Sequence, residues 1–272
     1  MDNYFIIAIF SVIQGITEFL PISSSGHLVL LHNIFTSSIT NELTFDVVLH
    51  LASAFAVILF FWSDLIKIAK NWFKSLIRAN FEASEAKLGW FIILATIPAA
   101  LAGYFFEDFI KNYLRSNLVV ALMLIVIGVL FLLTEKYSKH KIELADLTWR
   151  RSLLIGAAQA LALVPGASRS GITIIAGMAA DLKRKAAVKF SFLLSIPVIL
   201  GANIKEILSS GLTIPNEDIF SFSFGFIIAW VVSYFVIKYF IVFVKKYSLN
   251  IFAYYRFALA AIILFLWLAQ QL

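Results

Sequence analysis

Residues 14–30 read QGITEFLPISSSGHLVL, a polar passage inside an apolar chain. Gln14, Thr17, Glu18, Ser23, Ser24, Ser25 and His27 crowd around Pro21. Before them, residues 4–20 form an apolar run without a basic leading segment, so no cleaved signal is expected. After them, apolar character resumes only from Leu28 to Phe35. A helix crossing about 30 Å of hydrocarbon takes roughly 20 residues. Two shorter arms around a Pro/Ser break therefore predict a re-entrant hairpin over 4–35. Such bare backbone is tolerated at membrane depth only where protein or a wet cavity covers it.

The same pattern recurs downstream. Residues 152–164 are apolar, break at PGASRSG (165–171), and resume from Ile172 to Ala180, which predicts a second re-entrant hairpin over 152–180. Full-length spans are expected at 45–63, 89–106, 116–134, 189–209, 219–243 and 251–270. A chain that is 61% hydrophobic and 14% charged cannot hide its apolar surface in one soluble core. Strand alternation is absent, so the expected fold class is an all-α polytopic membrane protein. The chain has no cysteine, which excludes disulfides and thiolate metal sites.

The net charge of +6 does not point to nucleic acid, because its position in the loops accounts for it. Lys67, Lys70, Lys74, Arg78 and Lys87 lie in 64–88, and Lys136, Lys139, Lys141, Arg150 and Arg151 in 135–151. Lys183, Arg184, Lys185 and Lys189 follow in 181–189, and Lys245 and Lys246 in 244–250. The positive-inside rule places these four loops in the cytoplasm. Loops 36–46 and 210–218 contain no Lys or Arg, and 107–115 has only Lys111 and Arg115. With six alternating spans, the first hairpin must then enter from outside and the second from inside.

Residues 1–137 and 148–272 thus read as two inverted-topology repeats in one membrane domain, each a hairpin plus three spans, joined by a cytoplasmic linker at 138–147. Sites in that architecture lie where the two broken segments meet. Direct similarity between the halves is slight, limited to an apolar helix, Pro, small residues and Ser-x-Gly or Ser-Gly.

A hairpin tip followed by a half-helix presents unpaired N–H groups and a positive dipole end, which suit a phosphate. Ser23, Ser24, Ser25, Ser168 and Ser170 add hydroxyl donors, while Gly26, Gly166 and Gly171 open the backbone to an anion. Arg169 adds a planar, permanent cation that matches phosphate oxygens. Gln14 and Glu18, four apart, share a helix face that would meet His27 if the hairpin folds back. Glu18 can hold Mg²⁺ or Ca²⁺ together with Gln14 and phosphate oxygens, act as a base, or pair with Arg169. His27 can serve as acid, base or nucleophile. His50, beside Asp46, reads as a packing or supporting residue.

QGITEFLPISSSGH and PGASRSG together closely resemble the two signature motifs of the bacterial undecaprenyl pyrophosphate phosphatase, or bacitracin-resistance, family. The length, the span order and FDVVLHLASAFAVILFFW (45–62) extend the resemblance over essentially the whole chain. The family's first motif places an acidic or amide residue four positions before a glutamate, and Gln14 takes the amide option here. The resemblance implies divalent-cation-dependent hydrolysis of a long polyprenyl pyrophosphate to monophosphate and inorganic phosphate. That reaction recycles the lipid carrier of cell-wall synthesis in the bacterial cytoplasmic membrane.

Under that reading, Arg169, the serines and backbone N–H groups clamp the pyrophosphate. Glu18 with Gln14 positions a metal or activates the nucleophile, and Ser24 attacks with Glu18 and His27 assisting. The partner is a lipid pyrophosphate within the bilayer, a homodimer is compatible, and the pocket opens outward. A polyprenyl-phosphate transporter or flippase is the alternative, since inverted repeats with broken helices are also transporter architecture.

Overall fold

The computed structural model describes residues 2–35, 42–78, 81–114, 116–211, 214–215 and 217–269. Residues 36–41, Arg115, and residues 212, 213 and 216, which fall in the expected loops 36–46, 107–115 and 210–218, lie outside that set. The described chain is almost wholly helical. Six of its helices are long and apolar enough to cross a membrane: α3 (Glu42–Phe60), α5 (Ser84–Phe105), α7 (Asn117–Tyr137), α10 (Arg184–Ser210), α11 (Ile219–Phe243) and α12 (Asn250–Ala269). The protein is a multi-pass membrane protein.

The two interrupted stretches form helical hairpins. α1 (Asp2–Thr17) turns through residues 18–23 into α2 (Ser24–Ile34). α8 (Trp149–Ala160) passes through a 3₁₀ turn (Leu161–Leu163) and the PGAS segment into α9 (Arg169–Ala179). Each second arm is capped by a serine whose Oγ accepts the N–H three residues on, Ser23 from Gly26 and Ser168 from Gly171. Both caps adopt positive φ, 75° at Ser23 and 69° at Ser168.

First arms pack against spans from the other half of the chain, α1 on α11 and α8 on α5. Glycine makes both approaches. A Cβ at Gly15 would lie 2.9 Å from the Ala229 carbonyl oxygen, and one at Gly156 would lie 2.4 Å from that of Ala95. Small residues at such crossings let backbones come close where no hydrophobic effect operates between helices. Ser53 and Ser233 add a 3.2 Å hydroxyl pair between α3 and α11.

Residues 64–88, expected as a basic loop, instead hold α4 (Trp62–Arg78). Lys67, Lys70 and Lys74 recur at helical spacing along one exposed stripe, while Ile68 and Ser75 are buried. Trp72 packs on Trp90 of α5 with ring centroids 5.5 Å apart. Lysines lowered the hydropathy without breaking the helical period, which gives an amphipathic helix rather than a loop. A seven-residue helix, α6 (Glu107–Tyr113), similarly occupies the expected loop 107–115.

The linker 138–147 is held in place. Lys141 and Ile142 N–H groups donate to the Asp181 carbonyl at 2.9 Å, and Lys183 N–H donates to that of Ile142. Beside it, buried Glu135 at the end of α7 pairs with Arg184 at the start of α10 and accepts the Leu249 N–H at 2.8 Å. One carboxylate thereby ties together the ends of α7, α10 and α12.

Candidate active site at the meeting of the hairpin tips

The two tips touch. Ser25 Oγ accepts the Gly166 N–H at 3.4 Å, and Ser170 Oγ donates to the Leu20 carbonyl at 3.3 Å. Gly166 is required there: its φ is +89°, and a Cβ would sit 2.5 Å from the Val120 carbonyl oxygen. The N–H groups of Ser24 and Ser25, and of Arg169 and Ser170, open α2 and α9 ahead of the first helical hydrogen bonds, so both positive helix ends are presented at one place.

Glu18, 6% exposed, is the centre of the polar network. Its Oε1 accepts Arg169 Nη2 at 3.0 Å, an ion pair joining the first hairpin to the second. Its Oε2 accepts Gln14 Nε2 and Ser24 Oγ, each at 3.0 Å. His50 Nδ1 of α3 stands 3.3 Å from that same oxygen and 3.0 Å from Gln14 Nε2. Arg169 also donates through Nη1 to the Ser191 carbonyl at 3.3 Å, which anchors its fork to α10. A buried carboxylate and a part-buried guanidinium offset each other's desolvation only through such close contact.

The Gln14–Glu18 face therefore meets His50 and not His27, contrary to the sequence expectation. His27 turns toward α12. In the neutral ring its Nδ1–H donates to the Ser23 carbonyl at 2.7 Å, and Nε2 accepts the Tyr255 hydroxyl at 2.7 Å with the two rings stacked. The hairpin folds back, but a carbonyl four residues earlier in its own helical turn captures the imidazole and turns it away from Glu18. Ser24 thus has one carboxylate beside it, and His27 is not among its hydrogen-bond partners.

Ser23 and Ser168 cap helices and pair with Ser25 and Ser170, each at 3.2 Å. Gly26 and Gly171 supply the capped N–H groups. Sequence reasoning missed three contributors: His50 as a direct contact of Glu18, Tyr255 on His27, and Arg256, which contacts both tips. It also missed a constant spacing. Gln14 and Gln159, Ser23 and Ser168, Ser25 and Ser170, Gly26 and Gly171, Phe45 and Phe190, and Leu49 and Leu194 are all 145 positions apart. At that spacing Glu18 corresponds to Leu163 and His50 to Ser195, so the acid and the histidine occur in one half only.

Among the described residues, no three His, Cys, Asp or Glu side chains gather as a metal-binding group. The fit to a divalent cation rests on Gln14 Oε1, a wholly buried oxygen without a hydrogen-bond partner beside Glu18. One carboxylate and one amide oxygen suit a hard cation that takes its remaining ligands from phosphate oxygens and water.

An apolar groove of about 600 Å³ adjoins the site. Val12, Ile16 and Leu20 line it from the first hairpin, Val232 and Val236 from α11, and Phe252 from α12. Leu20 belongs to both, because its side chain faces the groove and its carbonyl accepts Ser170.

Comparison with known proteins gives the chain's relatives. Residues 7–262 match the family described as Bacitracin resistance protein BacA. The chain is 44% identical to an undecaprenyl-diphosphatase of Rubrobacter xylanophilus, over 92% of this chain and 93% of that one. It is 42% identical to an undecaprenyl-diphosphatase of Caldicellulosiruptor bescii over 95% and 96% of the respective chains. A third, from Thermomicrobium roseum, is 41% identical over 94% and 95%. With these matches along nearly its whole length, the chain belongs to the bacitracin resistance protein BacA family.

Proposed function

We propose that this protein is an undecaprenyl-diphosphatase of the bacterial cytoplasmic membrane, hydrolysing the lipid pyrophosphate to its monophosphate and inorganic phosphate. Its recycling of the carrier lipid would support cell-wall synthesis and bacitracin resistance. The observation that carries the reading is the Ser24–Glu18–Arg169 chain of contacts between two helix N-termini: hydroxyl, base and cation on one anion-binding surface.

In the mechanism, the opening N–H groups of α2 and α9, with Arg169, bind the terminal phosphate and balance charge developing on its oxygens. Glu18 Oε2 already accepts the Ser24 hydroxyl proton, so it is placed to take that proton as Oγ bonds to phosphorus and the polyprenyl phosphate leaves with the anhydride electrons. Water then releases phosphate from the serine, and Glu18 returns the proton. Gln14 and Glu18 would hold a divalent cation, which supplies charge neutralisation when bound. Tyr255 fixes the His27 ring at the rim, where it can pass protons outward. The groove beginning at Leu20 takes the isoprenoid tail.

Glu18→Gln and Arg169→Ala separate hydrolysis from carriage. Glu18→Gln is expected to bind polyprenyl monophosphate and lower phosphate release by about a hundred-fold or more, whereas Arg169→Ala is expected to lose both. Phosphate release untouched by Glu18→Gln would remove Glu18 from the hydrolytic step, and lipid binding without any phosphate release by the wild type would leave a phosphate-lipid carrier.

We further read residues 1–137 and 148–272 as inverted repeats with the pocket open to the outer face. The constant spacing of 145, the paired serine caps and the reciprocal packing of α1 on α11 and α8 on α5 support this. Ser25 is exposed, so a cysteine there is expected to react with a membrane-impermeant thiol reagent from the outer face. Reaction from the cytoplasmic face alone would reverse the topology.

A further inference from the structure

Arg256 of α12 is 0% exposed, and it heads the largest wholly buried side chains. No carboxylate is among its hydrogen-bond partners in the described residues. Its guanidinium instead donates to five backbone carbonyls: Pro21 at 3.1 Å, Gly166 at 2.7 Å, Ala167 at 3.1 Å, Leu124 at 3.3 Å and Met123 at 3.5 Å. These belong to three separate segments: the first tip, the second tip and α7.

A permanent cation buried among apolar helices is costly, and carbonyl dipoles offset it only in part. The arrangement has a geometric consequence. Turning a carbonyl toward Arg256 fixes the peptide plane that carries it. The Ala167 plane leads directly into Ser168, and the Pro21 plane lies one peptide before Ser23. Ser23 and Ser168 are the two left-handed caps that start α2 and α9, a backbone conformation that non-glycine residues hold only under external constraint. The preceding residue, Tyr255, bonds His27 of α2 through its hydroxyl at 2.7 Å.

We propose that Arg256 is a positioning residue of the pyrophosphate site, a single fork that locks the two tips together so that the N–H groups opening α2 and α9 converge on one phosphate. The inference rests on the phosphatase reading and extends it: the anion site is shared by both tips and is held from behind by a residue that never touches substrate. A lysine would keep the charge. It would lose the planar set of five donors, so it cannot hold three segments in one geometry.

The test is steady-state phosphate release from polyprenyl pyrophosphate by purified wild type, Arg256→Lys and Arg256→Met, with folded protein quantified by size exclusion and thermal unfolding. Per folded molecule, kcat is expected to fall by about a hundred-fold in both variants, the scale of a lost oxyanion contact, with KM within about three-fold because the tail still binds. Wild-type kcat in Arg256→Lys would reduce the residue to a charge and overturn the proposal. So would loss of folded protein with unchanged kcat per folded molecule.

Hydrogen exchange on the wild type tests the same claim without a variant. Saturating inorganic phosphate is expected to protect the amides of Ser24, Ser25, Arg169 and Ser170 together, and protection at one tip alone would overturn the shared site. If wild type releases no phosphate, the phosphatase reading itself falls. If wild type is active and both variants match it, only this inference falls.

Discussion

At the scale of single residues, the proposed chemistry depends on a few polar groups that an apolar chain would not otherwise hold. Glu18 and Arg169 were legible in the sequence because each is a charge inside an apolar run that ends in a Pro/Gly/Ser break. That they bond directly, at 3.0 Å and across 151 positions of sequence, was one of several options and is known only from the fold. Arg256 is just as much a charge in an apolar run, yet no break surrounds it, so attention to the motifs passed over it. His50 reads from the sequence as a packing or supporting residue because Asp46 lies beside it, and the packing of α1 on α3 supplies Glu18 as the group it contacts. His27 shows the limit of reasoning from proximity in sequence. It lies three residues from Ser24, but a backbone carbonyl and Tyr255 hold both of its ring nitrogens elsewhere.

At the scale of elements, the two broken segments were readable because their arms are too short to span and their tips too polar to face lipid. The six spans were readable from continuous apolar length. α4 was not, since a hydropathy reading treats three lysines as a loop even when their spacing keeps them on one stripe of a helix. The groove beside α1 was also invisible, because it exists only where a short first arm lies against the longer α11. Its proposed occupant gives an element-level prediction. Ile16→Trp fills the groove next to the tip and is expected to raise KM for a long polyprenyl pyrophosphate by about ten-fold, the effect of roughly 1.4 kcal/mol of lost apolar contact. Turnover of a short-chain prenyl pyrophosphate should be unchanged. An equal loss on both substrates would place the tail elsewhere.

At the scale of the whole molecule, each hairpin is covered by the other half of the chain, and that is what lets bare backbone, serines and a buried ion pair persist among apolar helices. Neither tip is complete alone. In the proposed site the anion surface is shared by α2 and α9, the acid comes from the first hairpin and the cation from the second, while Arg256 of α12 binds carbonyls of both tips and of α7. The spacing of 145 between corresponding residues suits a duplicated unit, in which both copies hold the serine cap and the glutamine and only the first holds the glutamate and histidine. The central claim is that this joint surface cuts the phosphoanhydride bond, and the most direct measurement is product analysis after purified protein is incubated with polyprenyl pyrophosphate and a divalent cation. The account predicts one inorganic phosphate and one polyprenyl monophosphate per substrate consumed. Unchanged lipid, or inorganic pyrophosphate with a polyprenyl alcohol, would contradict it.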